Sequence, residues 1–282
     1  MGHKADKSFF DEKRHWSKRK DKILECYLTP YLSKIATQGH PILIVDAFAG
    51  PGKFGDGESG SPLIICRSIQ EALSKGISVP VTALCIEADK ESFSELNGSI
   101  EQFPFAEARY GKFGDYIQEI QEKAKDHSVF LYVDPFTVEG IDWFRMDCVF
   151  QHLSISRMSI EILMNFNARS FVRRGLAALK LAIPELDLEI EDSEEIDAPL
   201  VRPPSIERLN RVAGGDWWQN ILESSSSFPE KVQNMTNGVC ERLRERFHSL
   251  SPSQLKVGWL PLTEILSDFL FHANIFFLIQ VL

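Results

Sequence analysis

Cysteine and histidine are scarce and poorly placed for chemistry. The five cysteines, Cys26, Cys66, Cys85, Cys148 and Cys240, are odd in number and far apart, which argues against a disulfide framework. No cysteine–histidine pair has zinc spacing, and the seven histidines fall in no triad or metal motif. The expectation is therefore buried, reduced thiols in a reducing, cytoplasmic compartment. Long apolar runs are also missing. Nothing is long enough to span a bilayer, and the polar N-terminus has no signal-peptide core. Positive charge is in deficit: 31 Lys+Arg stand against 40 Asp+Glu, a formal net charge of -9. That argues against a surface that is basic all over.

The deficit is concentrated. Residues 185–197 hold eight acids and no base. Residues 1–22 hold eight bases against four acids, with Lys13, Arg14, Lys18, Arg19 and Lys20 clustered. A nucleic-acid substrate stays open, because one short stretch supplies most of the negative total. The basic cluster reads either as a solvated helix face or as a contact for phosphates.

What is present is an alternation. Residues 11–36 carry apolar side chains at the spacing of one helix face, with Thr29-Pro30 a possible kink point. Then come short apolar runs: 42–45 ending at Asp46, 81–86 ending at Glu87, a weaker one at 106–110, 129–133 ending at Asp134, and 159–166. Amphipathic segments at 62–75, 89–101, 114–126 and 141–153 separate most of them. Strands apolar on both sides, alternating with helices, predict an α/β fold with a mostly parallel sheet covered on both faces. The expected organisation is a basic N-terminal helical segment (1–38), a Rossmann-like cofactor-binding core (39–167), a helical insertion with the acidic run (168–254) and C-terminal strands completing the sheet (255–282). In the insertion, Trp217-Trp218 either stack on a substrate base or anchor the helical lobe to the sheet.

The first strand runs into Asp46-Ala47-Phe48-Ala49-Gly50-Pro51-Gly52. Glycines just past a strand's carboxyl end let the backbone turn sharply and approach a ligand. Gly50 to Gly55 also matches G-x-G-x-x-G, the nicotinamide fingerprint. That fingerprint needs a helix to open at once, to aim its N-terminus at a pyrophosphate. Here the helix start is predicted only at Ser61 as N-cap with Pro62 in the first turn. Asp56 and Glu58 are poor hosts for phosphates. The loop suits a cofactor of little negative charge. Glu87 at the second strand end can accept from both hydroxyls of a ribose. Asp115 either meets an adenine amino group or caps the next helix.

Together, Asp46-x-Phe48-Ala49-Gly50-x-Gly52, Glu87, Asp115 and Asp134-Pro135-Phe136 resemble the ordered motifs of class I S-adenosylmethionine-dependent methyltransferases. Trp16-Ser17 before a lysine-rich helix, Gly60-Ser61-Pro62, and Gly214-Gly215-Asp216-Trp217-Trp218 make the chain similar to the three-Cys-motif partner protein family. The resemblance covers most of residues 8–260. It implies a seven-stranded sheet with a terminal antiparallel hairpin, S-adenosylmethionine as cofactor, and a cysteine-rich partner protein. It assigns Asp46, Phe48, Ala49, Gly50, Gly52, Glu87 and Asp115 to cofactor binding, and Asp134, Pro135 and Phe136 to catalysis. The second segment is similar to the Asp-Pro-Pro-aromatic motif of enzymes that methylate exocyclic amines, but lacks the second proline. The function implied is methyl transfer, with an exocyclic amine of nucleic acid as a candidate acceptor. The alternative is a non-catalytic partner or scaffold that keeps the fold. A nicotinamide oxidoreductase is a third reading.

Overall fold

The computed structural model describes residues 11–13, 15–143, 146–147, 158–183, 204–248, 255–259 and 274–281. The acidic run 185–197, the first ten residues, Cys148 and most of the predicted 141–153 helix lie outside them.

Five strands form where the apolar runs predict them: β1 Ile42–Asp46, β2 Val81–Glu87, β3 Ala106–Tyr110, β4 Ser128–Val133 and β5 Ile160–Asn167. Two more close the chain, β6 Leu255–Trp259 and β7 Asn274–Val281. They make one seven-stranded sheet in the order β3-β2-β1-β4-β5-β7-β6. β1 pairs in parallel with β2 and with β4, and β2 with β3. The chain starts at the middle, winds outward to β3, then returns to β4 on the other side of β1. That reversal opens a crevice at the carboxyl ends of β1 and β4, where ligands of doubly wound sheets bind.

β1 and β4 are buried along their whole length, because helices cover both faces of a parallel sheet. α1 (His15–Ile35) turns Leu24, Leu28 and Leu32 inward, each fully buried. It also packs on α2 (Ser61–Ser74). Pro30 removes one helical amide, yet α1 continues to Ile35. α3 (Lys90–Ile100) is capped by Asp89, whose carboxylate accepts from the Glu91 and Ser92 amides at 3.1 Å each. α2, α3 and β2 enclose a small apolar cluster of Leu63, Cys66, Cys85, Leu96 and Ile100 beneath Ala49. Burial pushes the Cys66 thiol up to about 12 and the Cys85 thiol well above its ordinary range, so both are inert packing groups. Cys240 is buried too, whereas Cys26 is exposed. α4 (Ile117–Lys123) is shorter than the predicted 114–126, because a separate 3-10 turn occupies Phe113–Asp115.

The chain divides into two compact units. Among the described residues, those up to 134 with 158–162 and 281 belong to the first, and 135–147 with 163–280 to the second. The second holds α5 (Ala168–Ala178), α6 (Ile206–Ala213), α7 (Trp218–Glu223) and α8 (Phe228–His248). Its core settles the role of the two tryptophans. Trp218 is fully buried, edge-on to Phe171 at 5.5 Å, with its indole N–H donating to Asn210 at 2.8 Å. Trp217 donates to the Ala213 carbonyl at 2.9 Å, lies against Gly238 and carries Arg242 over its ring at 5.1 Å. They pin helices of the lobe to one another, and Phe171 in turn meets Phe166 of β5 at 5.8 Å, which is the anchoring reading; the fully buried Trp218 has no face left for a base. Among the described residues, no helix is long and apolar enough to cross a membrane.

Candidate functional site

The loop after β1 does not leave the sheet at once. Ala47 N–H donates to the Tyr132 carbonyl of β4, and Ala49 N–H to the Ile86 carbonyl of β2, both at 3.0 Å. The backbone is thus threaded between the two neighbouring strands. It then turns through Gly50 (φ 63) and Gly52 (φ 80), left-handed conformations that favour glycine. At Gly52 a Cβ would also crowd Ser99 at 3.1 Å.

Residues 53–59 form an excursion closed on itself. Lys53 and Ser59 make an antiparallel bridge, and Gly60 N–H donates to the Gly52 carbonyl at 2.9 Å. Gly55 therefore sits out on the excursion, against the backbone of Asp11. The G-x-G-x-x-G match is spread over a loop and opens no helix, unlike the nicotinamide fingerprint. The N-cap of α2 is Gly60 rather than the predicted Ser61. Gly60 is extended and permits the close approach to Gly52, so Ser61 falls inside the first turn.

Asp46 is completely buried at the tip of β1. Its Oδ1 accepts from the Phe48 amide at 3.3 Å, and its Oδ2 has no hydrogen-bond partner. Burial, reinforced by the nearby charges of Asp134 and Glu87, pushes this carboxyl up to about 7, against the opposing pull of Ser61 and the Phe48 amide. An unpartnered buried oxygen costs about 1–3 kcal/mol, a cost that a donor such as the nearby Ser61 hydroxyl or a ligand would offset.

Glu87 clamps the glycine turn. One carboxylate oxygen accepts from the Gly50 amide at 2.8 Å and the other from the Asp89 amide at 2.6 Å. The Gly50 amide is thus committed to Glu87. Burial raises the Glu87 carboxyl despite these bonds. Phe48 is half-buried beside the turn. Asp115 is exposed and accepts from the Lys112 amide at 2.9 Å, capping the 3-10 turn.

The strand register brings the acids together. Asp46 is level with Cys85 of β2 and Tyr132 of β4. Glu87 and Asp134 each lie two residues further toward the carboxyl edge, on either side of it. Asp134 Oδ2 accepts from Tyr132 Oη at 3.1 Å and from Lys20 Nζ at 2.7 Å. Lys20 comes from α1, as does Asp21, which pairs with the buried Lys13. Lys13 Nζ also donates to the Ser59 carbonyl at 2.5 Å, and its amide to Asp56 at 3.0 Å. Burial lifts Asp21 to about 6, against the attraction of Lys13 and Lys20. No group of metal-ligating side chains that could hold an ion occurs among the described residues.

Nothing in the sequence marked Lys13, Lys20, Asp21 or Tyr132 as part of this edge. Two lysines of the basic cluster, Lys13 and Lys20, are turned inward onto acids rather than lying on a solvated face. Lys18 lies 3.8 Å from Glu58, and Lys22 is bonded to Glu25 at 2.8 Å. Phe136 is 45% exposed, too open for a core residue. A cavity of about 310 Å³ in the second unit, lined by Asp142, Ser205, Arg208 and Arg211 among others, contains none of the predicted site residues.

The strand order, the switch point at β1/β4 and the acids along one edge decide the architecture. The fold is that of the class I methyltransferases. No protein-family model and no curated protein matches the chain. Solved structures similar to this methyltransferase fold include an O-methyltransferase from Bacillus cereus in complex with SAH. It is 13% identical over 96% of this chain and 84% of that one, with a TM-score of 0.41. A cyclopropane synthase from Mycobacterium tuberculosis is 11% identical over 91% and 83%, with a TM-score of 0.37. The fold assignment rests on the strand order and not on these likenesses.

Proposed function

We propose that the protein is an S-adenosylmethionine-dependent methyltransferase of the three-Cys-motif partner protein family. The observation that carries this reading is the buried Asp46, with one oxygen unpartnered, beneath a left-handed glycine turn at the β1/β4 switch point. The residues present fit the cofactor. Asp46 Oδ2 would take its cationic methionine end, directly or through water. Gly50, half-buried and without a side chain, leaves the turn accessible at that point. Each Glu87 oxygen, having accepted one amide, keeps a lone pair for the ribose hydroxyls. When bound, the cofactor supplies an electrophilic methyl group. The chain's own part is alignment, exclusion of water, and a carboxylate at Asp134 that can orient an acceptor and take its proton.

The acceptor we favour is an amine, a group whose N–H donors a carboxylate at Asp134 could orient. An exocyclic amine of nucleic acid fits that chemistry, and a cysteine-rich protein is the partner to seek by pull-down. Isothermal calorimetry with S-adenosylmethionine tests the cofactor. Wild type should bind, and Asp46→Ala should bind at least about tenfold more weakly, the loss of one charge-assisted contact. No binding at millimolar cofactor overturns the reading. The occupation of Asp134 by Lys20 and of Glu87 by backbone amides favours a second reading, a scaffold that keeps the fold without turnover. Cofactor binding with no methyl transfer to any acceptor, nucleic acid or protein, would select it.

A further inference from the structure

The candidate site is closed. Asp46 has no exposed surface, and Pro51, Gly52 and Gly60 around the glycine turn are buried as well. A cofactor can reach Asp46 only after part of its cover has moved. The parts of that cover are held in different ways. Gly52 lies against Leu96 and Ser99 of α3, and Leu96 belongs to the apolar cluster beneath Ala49. Lifting α3 would bring that cluster into water. The start of α1 is held by polar contacts. Lys13 Nζ donates to the Ser59 carbonyl and pairs with Asp21, its amide donates to Asp56, and the Phe54 ring lies 5.5 Å from Nζ. Lys18 faces Glu58 at 3.8 Å, and Gly55 backs onto Asp11. Lys20 bonds to Asp134 at 2.7 Å. These contacts bracket Asp46. Ser59 stands two residues before Ser61, whose side chain faces Asp46. Asp134 stands two residues after Tyr132, the neighbour of Asp46 on β4. Among the described side chains from 11 to 22, the buried ones are Lys13 and Ser17, whereas Leu24, Leu28 and Leu32, which seat the helix, come later.

We propose that the start of α1, with Lys13 ahead of it, is a latch closed onto the 53–59 excursion and Asp134, which lifts to admit S-adenosylmethionine and then closes over it. The proposal rests on the methyltransferase reading above and adds how that site is entered. Polar contacts can be exchanged for water, so this cover opens at lower cost than one seated by leucines. Opening returns Lys13 and Asp21 to water, and their recovered hydration offsets the loss of their pairing. The leucines keep the rest of α1 in place, so the lift is local and ends at Lys22. Closure over a bound cofactor excludes water from the methyl group and delays its escape.

Two measurements on the full chain test this. The first needs no cofactor. In native-state hydrogen exchange, the Lys13 amide and the helical amides of 19–22 should open together, at least about tenfold faster than those of 24–32. Lys20→Met removes one anchor, and should speed the first group while leaving 24–32 unchanged. Exchange of 19–22 as slow as that of 24–32 overturns the proposal. The second measurement fixes the latch. Lys18 and Glu58 are each about half exposed, so in a chain with Cys26→Ser and Cys148→Ser the pair Lys18→Cys and Glu58→Cys can be bridged by a short bis-thiosulfonate that reductant cleaves. Rapid filtration with tritiated S-adenosylmethionine should show association at least about tenfold slower in the bridged chain, and reductant should restore the unbridged rate. Equal rates before and after cleavage overturn the latch while leaving the cofactor reading intact. No binding by the wild-type chain overturns both.

Discussion

At Asp46 the balance of burial against hydrogen bonding is lopsided. One oxygen has a single amide at 3.3 Å and the other none, so burial dominates and the carboxyl rises to about 7. A ligand that brings a cationic or donor group to Oδ2 favours the ionised form and must displace a proton below that value. Affinity for S-adenosylmethionine should therefore rise with pH up to about 7 and then level. Calorimetry in buffers of different ionisation enthalpy should show proton release on the acid side only. Lys13 poses a different question. It is 6% exposed and shared between Asp21 and the Ser59 carbonyl. Removing one partner of a buried pair costs about 3–5 kcal/mol, far more than the pair itself contributes. Lys13→Met should lose that much in urea denaturation, and Lys13→Met with Asp21→Leu should recover most of it. Both residues are anonymous in the sequence, because a lysine in a basic run gives no sign that it will turn inward.

At the scale of elements, the Asp46–Gly52 loop is held by its neighbours more than by itself. Ala47 bonds to β4, Ala49 to β2, and Gly50 to the side chain of Glu87. Glutamine at 87 offers one carbonyl oxygen where glutamate offers two. Glu87→Gln should leave one of the Gly50 and Asp89 amides without its acceptor, at about 1–3 kcal/mol. Hydrogen exchange at the loop amides should speed up while the exchange of β1 itself is unchanged. The helical lobe gives a test of opposite character. Gly238 sits inside α8, where alanine is favoured by about 1 kcal/mol on helix propensity alone. A Cβ there would lie 2.1 Å from the Trp217 ring. Overpacking of that kind costs about 1–3 kcal/mol, so Gly238→Ala should lower the melting temperature in spite of the better helix former. Element identity was legible from periodicity: β1 to β5 and α1 to α3 all lie within a few residues of the predicted runs. Element ends were less so. The N-cap moved from Ser61 to Gly60 because Gly60 must approach Gly52, a contact invisible in local sequence.

For the molecule as a whole, the crowd of acids at one sheet edge sets a pH dependence. Asp46 and Asp21 both bind a proton more tightly folded than unfolded. Across the window from the ordinary 3.8 to about 7, the folded chain holds more protons than the unfolded one. These two groups therefore make stability fall as pH rises through that window and stay level above it. The urea midpoint should show this decline, and Asp46→Asn should flatten it. The composition alone marked the chain as short of nucleophilic and metal-binding residues. Its alternation of apolar runs, with acids at three strand ends and glycines after the first, determined the α/β class and which strand ends carry the acids and the glycine turn. These are local properties, set by side-chain period and backbone freedom over a few residues. The partners of those acids were decided only by tertiary structure. Lys20 meets Asp134 across 114 residues of sequence, and Tyr27 donates to the buried Glu161 across 134. Such pairings depend on where the sheet order β3-β2-β1-β4-β5 places α1, and no periodicity within a single segment encodes them.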